Sequence, residues 1–333
     1  MTAVLACILV AVAVAIYLTG GYSGIRKPER MSKSRVLFDT IVKIDIEGPG
    51  ELDYSRIYTA VWEELDGWER ELDLYDTLSD LDRANRCDSQ IILPKRLASA
   101  VGKGLDSIIP TGGHFDIRIG EITALWDFAG DGVVPETRKL SAAIDRMHRP
   151  IRMRGDTLVK SGFSPRLDLG GIAKGLAADA VFAILDSIEG VERFIIDLGG
   201  NIRVKDEGGK AFEIGVQSPE SPDKLAGKFS LASGKACATA GDYQRFFVVD
   251  GIRYHHILNP ANGVPARGCS AVTVLANDAV TADIMSTALF VMGPEAGSVF
   301  LESNSEIKAV FLDSTGTIIA GNFDLNPVSQ DDR

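Results

Sequence analysis

Hydrophobic and polar positions change period several times along the chain, and each change predicts an element. Residues 36–46, VLFDTIVKIDI, alternate like a strand. Residues 54–74 carry a helical period, with Ile57, Val61, Leu65 and Trp68 on one face. The following LYDTLSDLDRANR offers Thr77 or Ser79 as the cap of a short helix ending near Asn85. Residues 94–109 fit another helix, stopped by Pro110 and Gly112-Gly113, and 114–128 read as a buried segment with two exposed-type acids, Asp116 and Glu121. Residues 158–169 read as a turn between strands that feeds a helix over 177–185, and 194–198 as a buried strand turned by Gly199-Gly200-Asn201 into 202–204. Two strand-like runs, 243–249 and 252–258, flank Asp250-Gly251, a strong signal for a tight hairpin. The tail predicts a strand at 271–275, a helix from about 278 to 292, another to about 301, and strands at 307–312 and 317–319. There is no internal repeat, and mixed strands with clustered helices indicate an α+β fold rather than a doubly wound parallel sheet.

The amino terminus behaves differently. Residues 3–18 are apolar without interruption and hydrophobic all round, which predicts an uncleaved membrane anchor over 1–20 rather than an amphipathic surface helix. No basic residue precedes the run, as a cleavable signal peptide would require. Residues 21–35 read as a linker and 326–333 as a polar tail, leaving 36–325 as one folded domain. The basic residues just after the span, from Arg26 to Arg35, would by the positive-inside rule lie in the cytoplasm.

Charge narrows the partners. A formal charge of -11 argues against a nucleic-acid surface, which needs a basic patch, and any anionic ligand must be held by local cations, helix ends or a metal. The four cysteines form neither a disulfide framework nor a zinc pattern.

Three places can carry chemistry. His255 and His256 end the second strand of the hairpin, beside the loop Asn259-Pro260 to Asn262-Gly263; alternation lets only one of the two face a given site. That ring is either a proton carrier or a hydrogen-bonded structural histidine. Asp283 and Thr287 stand one turn apart on a helix, where they either offer hard oxygen ligands to a cation or serve as a helix cap and a hydroxyl bonded back to the backbone. Gly170-Gly171 at a helix entrance, with Lys174, suits a phosphate but lacks the spacing of a known phosphate loop.

Taken together, the motifs FDT, LDLYDTLSDLDRANR, HFDIRIGEITALWDF, DLGGIAKGLAAD, DLGGN, CATAGDY, YHHILNPANG and ADIMSTAL, in this order from about Phe38 to Leu312, resemble the ApbE family of FAD:protein FMN transferases. The resemblance implies an ApbE-like, T-fold-like mixed sheet and a magnesium-dependent enzyme. Such an enzyme splits FAD, attaches FMN through a phosphoester to a threonine of a target flavoprotein, such as a membrane redox subunit, and releases AMP. It implies His256 and Asp283 as catalytic residues, and a Mg2+ site of Asp283 and Thr287 with oxygens from Gly171 and Ser286. FAD contacts would come from Phe38, Tyr75, His114, Phe115, Asp116, Asp168, Lys174, His256 and Ile257, with His255 the outward neighbour. It also implies an anchored domain facing outside the cytoplasm, against the positive-inside reading. Two positions depart from the family pattern: Ala240 stands for its serine, and Phe38-Asp39 for its Met-Gly. An FAD pyrophosphatase and a non-catalytic flavin-binding protein are the competing readings.

Overall fold

The computed structural model describes residues 28–328 apart from Ala129 and Phe163. The expected anchor, the linker as far as residue 27 and the last five residues of the polar tail lie outside them. Eight strands form one antiparallel sheet: β1 (Glu29–Leu37), β2 (Thr40–Gly48), β6 (Arg193–Leu198), β7 (Ile202–Asp206), β10 (Ala236–Gly241), β13 (Ala271–Ala276), β14 (Lys308–Leu312) and β15 (Ile318–Gly321), neighbours in that order. Three smaller sheets accompany it. β3 (Gln90–Ile92), β4 (Arg152–Arg154) and β5 (Thr157–Val159) group together; β8 (Phe212–Ser218) pairs β9 (Ser221–Leu231), and β11 (Phe246–Val249) pairs β12 (Ile252–His255).

The helices are α1 (Tyr54–Leu72), α2 (Asp80–Arg86), α3 (Lys95–Asp106), α4 (Gly120–Trp126), α5 (Thr137–Met147), α6 (Ala173–Asp186) and α7 (Ala279–Ser303). On one face of the large sheet, α1, α6 and α7 bury Val42, Ile44, Ile46, Val61, Leu65, Val181 and Phe290 in the main core. The β8–β9 ribbon closes the other face over Val204, Cys237 and Leu312. A third cluster gathers α4 and α5 with Phe247 and Tyr254 of the β11–β12 hairpin. The architecture is the expected α+β fold with clustered helices, but the large sheet is antiparallel throughout rather than mixed, since each pair of neighbouring strands runs in opposite directions. α7 is long and apolar enough to span a bilayer, yet more than half of its apolar stretch is buried, as befits a core helix.

The structure corrects several expected boundaries. The single strand at 36–46 is a hairpin: β1 and β2 meet at a two-residue turn in which Phe38 and Asp39 have φ of 52° and 55°. Both central residues of such a turn are left-handed, which explains a glycine in the family pattern where this chain has aspartate, the next most tolerant type. β1 starts at Glu29, so residues 29–35 belong to the sheet rather than to a linker. Ser79, not Thr77, caps α2, accepting from Asp82 N–H at 3.0 Å. The helix after Gly170-Gly171 begins earlier than its apolar period, at Ala173. α7 is broken at Gly293, with φ 76°, and Pro294, where the tail reading separates two helices.

Candidate active site

All thirteen residues expected to bind FAD or metal line one cavity of about 600 Å³. The β1–β2 turn, the α4 entrance, the α6 amino terminus, the first half of α7 and the root of the β11–β12 hairpin form its walls.

Two helices, α6 and α7, meet closely at the cavity wall that holds Asp283. Gly175 in the first turn of α6 packs against α7 so tightly that an added Cβ would lie 2.6 Å from the Ala279 carbonyl oxygen and the Val280 Cα. That approach lets the Gly175 N–H donate to Asp283 Oδ2 at 2.9 Å. Asp283 does not cap its own helix; Asp278 does, accepting from Thr281 N–H at 2.8 Å. Asp283 instead serves the amino terminus of the neighbouring helix, 4% exposed, with Oδ1 accepting no hydrogen bond from any described residue. The back-bonded hydroxyl is Ser286, which donates to the Asp283 carbonyl at 2.9 Å, and Thr287 makes no such bond. The Thr287 Oγ1 lies 3.4 Å from the point a Gly171 Cβ would occupy, and the Phe115 ring lies 3.0 Å from it. A side chain at 171 would thus fill the space between the glycine backbone and the hydroxyl.

These donors fit a hard divalent cation. One buried carboxylate, one free hydroxyl and nearby backbone oxygens are the kind of partial set from which magnesium keeps sites for water and substrate oxygens. Among the described residues, no three His, Cys, Asp or Glu side chains gather as a transition-metal cage would require.

His256 closes the other side. Its Nδ1 lies 3.3 Å from the Arg245 carbonyl and its backbone N–H donates to the same oxygen at 3.1 Å. A carbonyl only accepts, so Nδ1 carries the proton of the neutral ring and Nε2 keeps a lone pair. Burial, with the Arg245 and Lys174 charges, pushes the imidazole down to about 3, so the ring is neutral at ordinary pH. His255 does face the other way, as alternation requires, but it is not an outward neighbour. It is 1% exposed, donates from Nε2 to the Ala266 carbonyl at 2.9 Å and meets the Phe290 ring edge-on at 5.5 Å. The hairpin is held by stacking of Phe247 on Tyr254, both against Trp126, whose Nε1–H donates to the Gly263 carbonyl at 2.8 Å. The same bond fixes the Asn259–Gly263 loop.

The remaining expected contacts divide. Lys174 forms no ion pair among the described residues, leaving its charge for a ligand. Asp168 accepts from the Thr123 hydroxyl at 2.8 Å and from Gly170 N–H at 2.9 Å, ordering the glycine pair. Asp116 lines the wall, but its carboxylate is paired with Arg118 at 2.6 Å and also accepts the Arg118 backbone N–H. Phe38 is positioned by its N–H, which donates to Glu69 at 2.6 Å. His114 turns Nδ1 to the Thr111 carbonyl at 3.0 Å, and Tyr75 and Ile257 complete the apolar wall. Ala240, where the family pattern has serine, is also in this wall and contributes no hydroxyl.

Sequence reasoning missed Arg245. It lines the cavity and forms an ion pair with Asp39, 206 residues away, a partnership no local pattern announces.

A cavity that gathers Lys174, Arg245, hard oxygen donors and a neutral histidine has the features of an enzyme site that takes an anionic ligand. A sequence model of the ApbE family matches residues 38–311, and the chain belongs to that family. An FAD:protein FMN transferase of Vibrio cholerae is 31% identical over 294 residues, 85% of this chain and 87% of that protein. One from Klebsiella pneumoniae is 34% identical over 212 residues, 62% of this chain and 65% of its own length. Among solved structures, the ApbE protein of Thermotoga maritima superposes with a TM-score of 0.78 at 28% identity, covering 90% of this chain and 97% of its own. The apo flavinyl transferase ApbE of Pseudomonas stutzeri gives a TM-score of 0.75 at 26% identity, covering 86% and 92%.

Proposed function

We propose that this chain is a divalent-cation-dependent FAD:protein FMN transferase. The observation that carries the reading is the single cavity in which the Asp283–Thr287 oxygens and the Nε2 lone pair of His256 share one wall system with Lys174. Asp283 and Thr287, with oxygen from Gly171 and Ser286, would hold Mg2+, which when bound neutralises pyrophosphate oxygens as a Lewis acid. Lys174 and the α6 amino terminus attract the same anion. His256 takes the proton of the incoming threonine hydroxyl at Nε2, while the Arg245 carbonyl fixes its tautomer. The threonine oxygen then bonds to the FMN phosphorus, the bond from that phosphorus to the bridging oxygen breaks, and AMP leaves with that oxygen.

The test incubates the protein with FAD, magnesium and a threonine-bearing flavoprotein domain, and weighs the acceptor. Covalent gain of one FMN with release of AMP is expected. Free FMN and AMP with an unmodified acceptor would make the protein an FAD pyrophosphatase, and flavin binding without products would make it a binding protein.

The apolar run at 3–18 supports a membrane anchor, and the family supports an extracytoplasmic face for the domain, with a membrane redox subunit as the acceptor. Full-length protein retained in carbonate-washed membranes, and released by removal of residues 1–20, is the expected result. A soluble full-length chain would refute the anchor.

A further inference from the structure

Two turns reach toward each other at the cavity mouth. Asp39 sits in the left-handed tip of the β1–β2 turn, and Arg245 immediately precedes β11. Their side chains form an ion pair, and both residues line the cavity. The pair is open to water: the Asp39 side chain is 74% and the Arg245 side chain 40% exposed. Such an exposed pair is worth little in itself, so an incoming anion of higher charge displaces the carboxylate easily. Arg245 also stands beside His256 through its own backbone, and its charge and that of Lys174 both act on the His256 ring. The two cations therefore flank the group proposed as the base, from the hairpin and from α6.

We infer that Arg245 is a second phosphate-holding cation of this cavity and that Asp39 is its resident counter-ion, a built-in competitor that the substrate phosphate displaces. The inference rests on the FAD reading above and adds a positioning residue to it. Arginine suits the task because its planar fork can bind two phosphate oxygens at once, where lysine offers a point charge. With Asp39 displaced, the mouth gains a free carboxylate where the empty site has an ion pair. Substrate affinity is thereby set partly by a carboxylate that gives way to the substrate phosphate.

The substitution that tests this keeps the turn. Asparagine tolerates φ of 55° at least as well as aspartate, so Asp39→Asn removes the charge without straining the backbone. Binding of FAD and of riboflavin, which has no phosphate, is followed by flavin fluorescence quenching in wild type, Asp39→Asn, Arg245→Gln and the double variant. Asp39→Asn is expected to tighten FAD about two- to five-fold, the range of an exposed ion pair, and to leave riboflavin unchanged. Arg245→Gln weakens FAD about ten-fold, as loss of a charge-assisted hydrogen bond does, again sparing riboflavin. In the double variant the gain from Asp39→Asn vanishes, because there is no guanidinium left to release. If Asp39→Asn tightens FAD equally with and without Arg245, the effect is general removal of negative charge and the inference falls. Unchanged FAD affinity in both single variants overturns it as well. Failure of the wild type to bind FAD at all would instead sink the functional reading on which it depends.

Discussion

Replacing Gly175 by alanine should injure the proposed cation site without altering any of its proposed ligands. In a helix interior the exchange ordinarily stabilises, by about 0.5–1 kcal/mol, because alanine loses less backbone entropy on folding. Here the new Cβ would lie 2.6 Å from two backbone atoms of α7, against an ordinary contact of 3.4 Å or more. Neither atom can rotate away, so the helices must part by about 0.8 Å, an overpacking that costs about 1–3 kcal/mol. The hydrogen bond from Gly175 N–H to Asp283, now 2.9 Å, would stretch past useful length. A bond to a charged acceptor contributes about 1.5–3 kcal/mol, so the net loss is about 2 kcal/mol or more. Groups that orient a metal ligand typically account for 10–100-fold in metal affinity, and a fall of that size is expected for magnesium in the presence of FAD. Gly102→Ala is the control: Gly102 is also within a helix, but nothing lies within 4 Å of its added Cβ. It should stabilise by about 0.5–1 kcal/mol and leave metal affinity alone. Denaturant unfolding and calorimetric titration read both variants. If both variants stabilise equally and both bind magnesium normally, the close approach of α6 and α7 does not position Asp283, and the reasoning fails.

Asp283→Ala should abolish FMN transfer and weaken divalent binding, since the proposed cation would lose the only carboxylate of its proposed set; unchanged magnesium titration would reduce Asp283 to a partner for the α6 amino terminus. His256→Asn should keep FAD binding and slow single-turnover transfer by about 10²–10⁴, the usual share of a general base, whereas a loss accounted for by weaker FAD binding would make it a positioning residue. His255→Asn should instead lower unfolding free energy by about 1–3 kcal/mol through the buried bond to Ala266, with near-normal transfer by the folded protein; a stable but inactive variant would contradict this. Between about pH 3 and 6.5 the His256 ring is neutral when folded and increasingly charged when unfolded, so the unfolded state binds more protons and stability is lost as pH falls through that window. His256→Gln should flatten the slope of stability against pH near pH 5 by up to about 1.4 kcal/mol per unit, and an unchanged slope would refute the depressed value.

How much of this was readable beforehand depended on whether the determining contact was local. The break in α7 was legible because Gly293 and Pro294 are punctuation in any context. The Asp250-Gly251 hairpin was legible for the same reason. The β1–β2 hairpin was not, since Phe38-Asp39 lacks the glycine or asparagine that marks such a turn and the alternation runs straight through it. The β8–β9 ribbon and α5 gave no strong pattern, and their places are fixed by long-range packing on the sheet and on Trp126. Asp283 and Thr287 could be paired from helix spacing, but not that the carboxylate serves a different helix. Alternation tells which side the His255 ring faces, not that Phe290 and the Ala266 carbonyl cover that side. Arg245 carried no signal at all, being defined by Asp39 at the far end of the chain.

The order of strands in the large sheet also bears on when the site comes into being. β2 lies beside β6 and β7 beside β10, so the sheet closes only after segments distant along the chain have found each other. Asp283 meets Gly175 across 108 residues and Asp39 meets Arg245 across 206. Contacts of such separation form late, since the entropy of closing the intervening loops must be overcome first. α1, the β1–β2 hairpin and the β11–β12 hairpin can each form early from local contacts, while the cavity between them cannot. During refolding, then, helical signal should return before the capacity to quench flavin fluorescence, and a partly folded chain has no pocket in which to spend FAD.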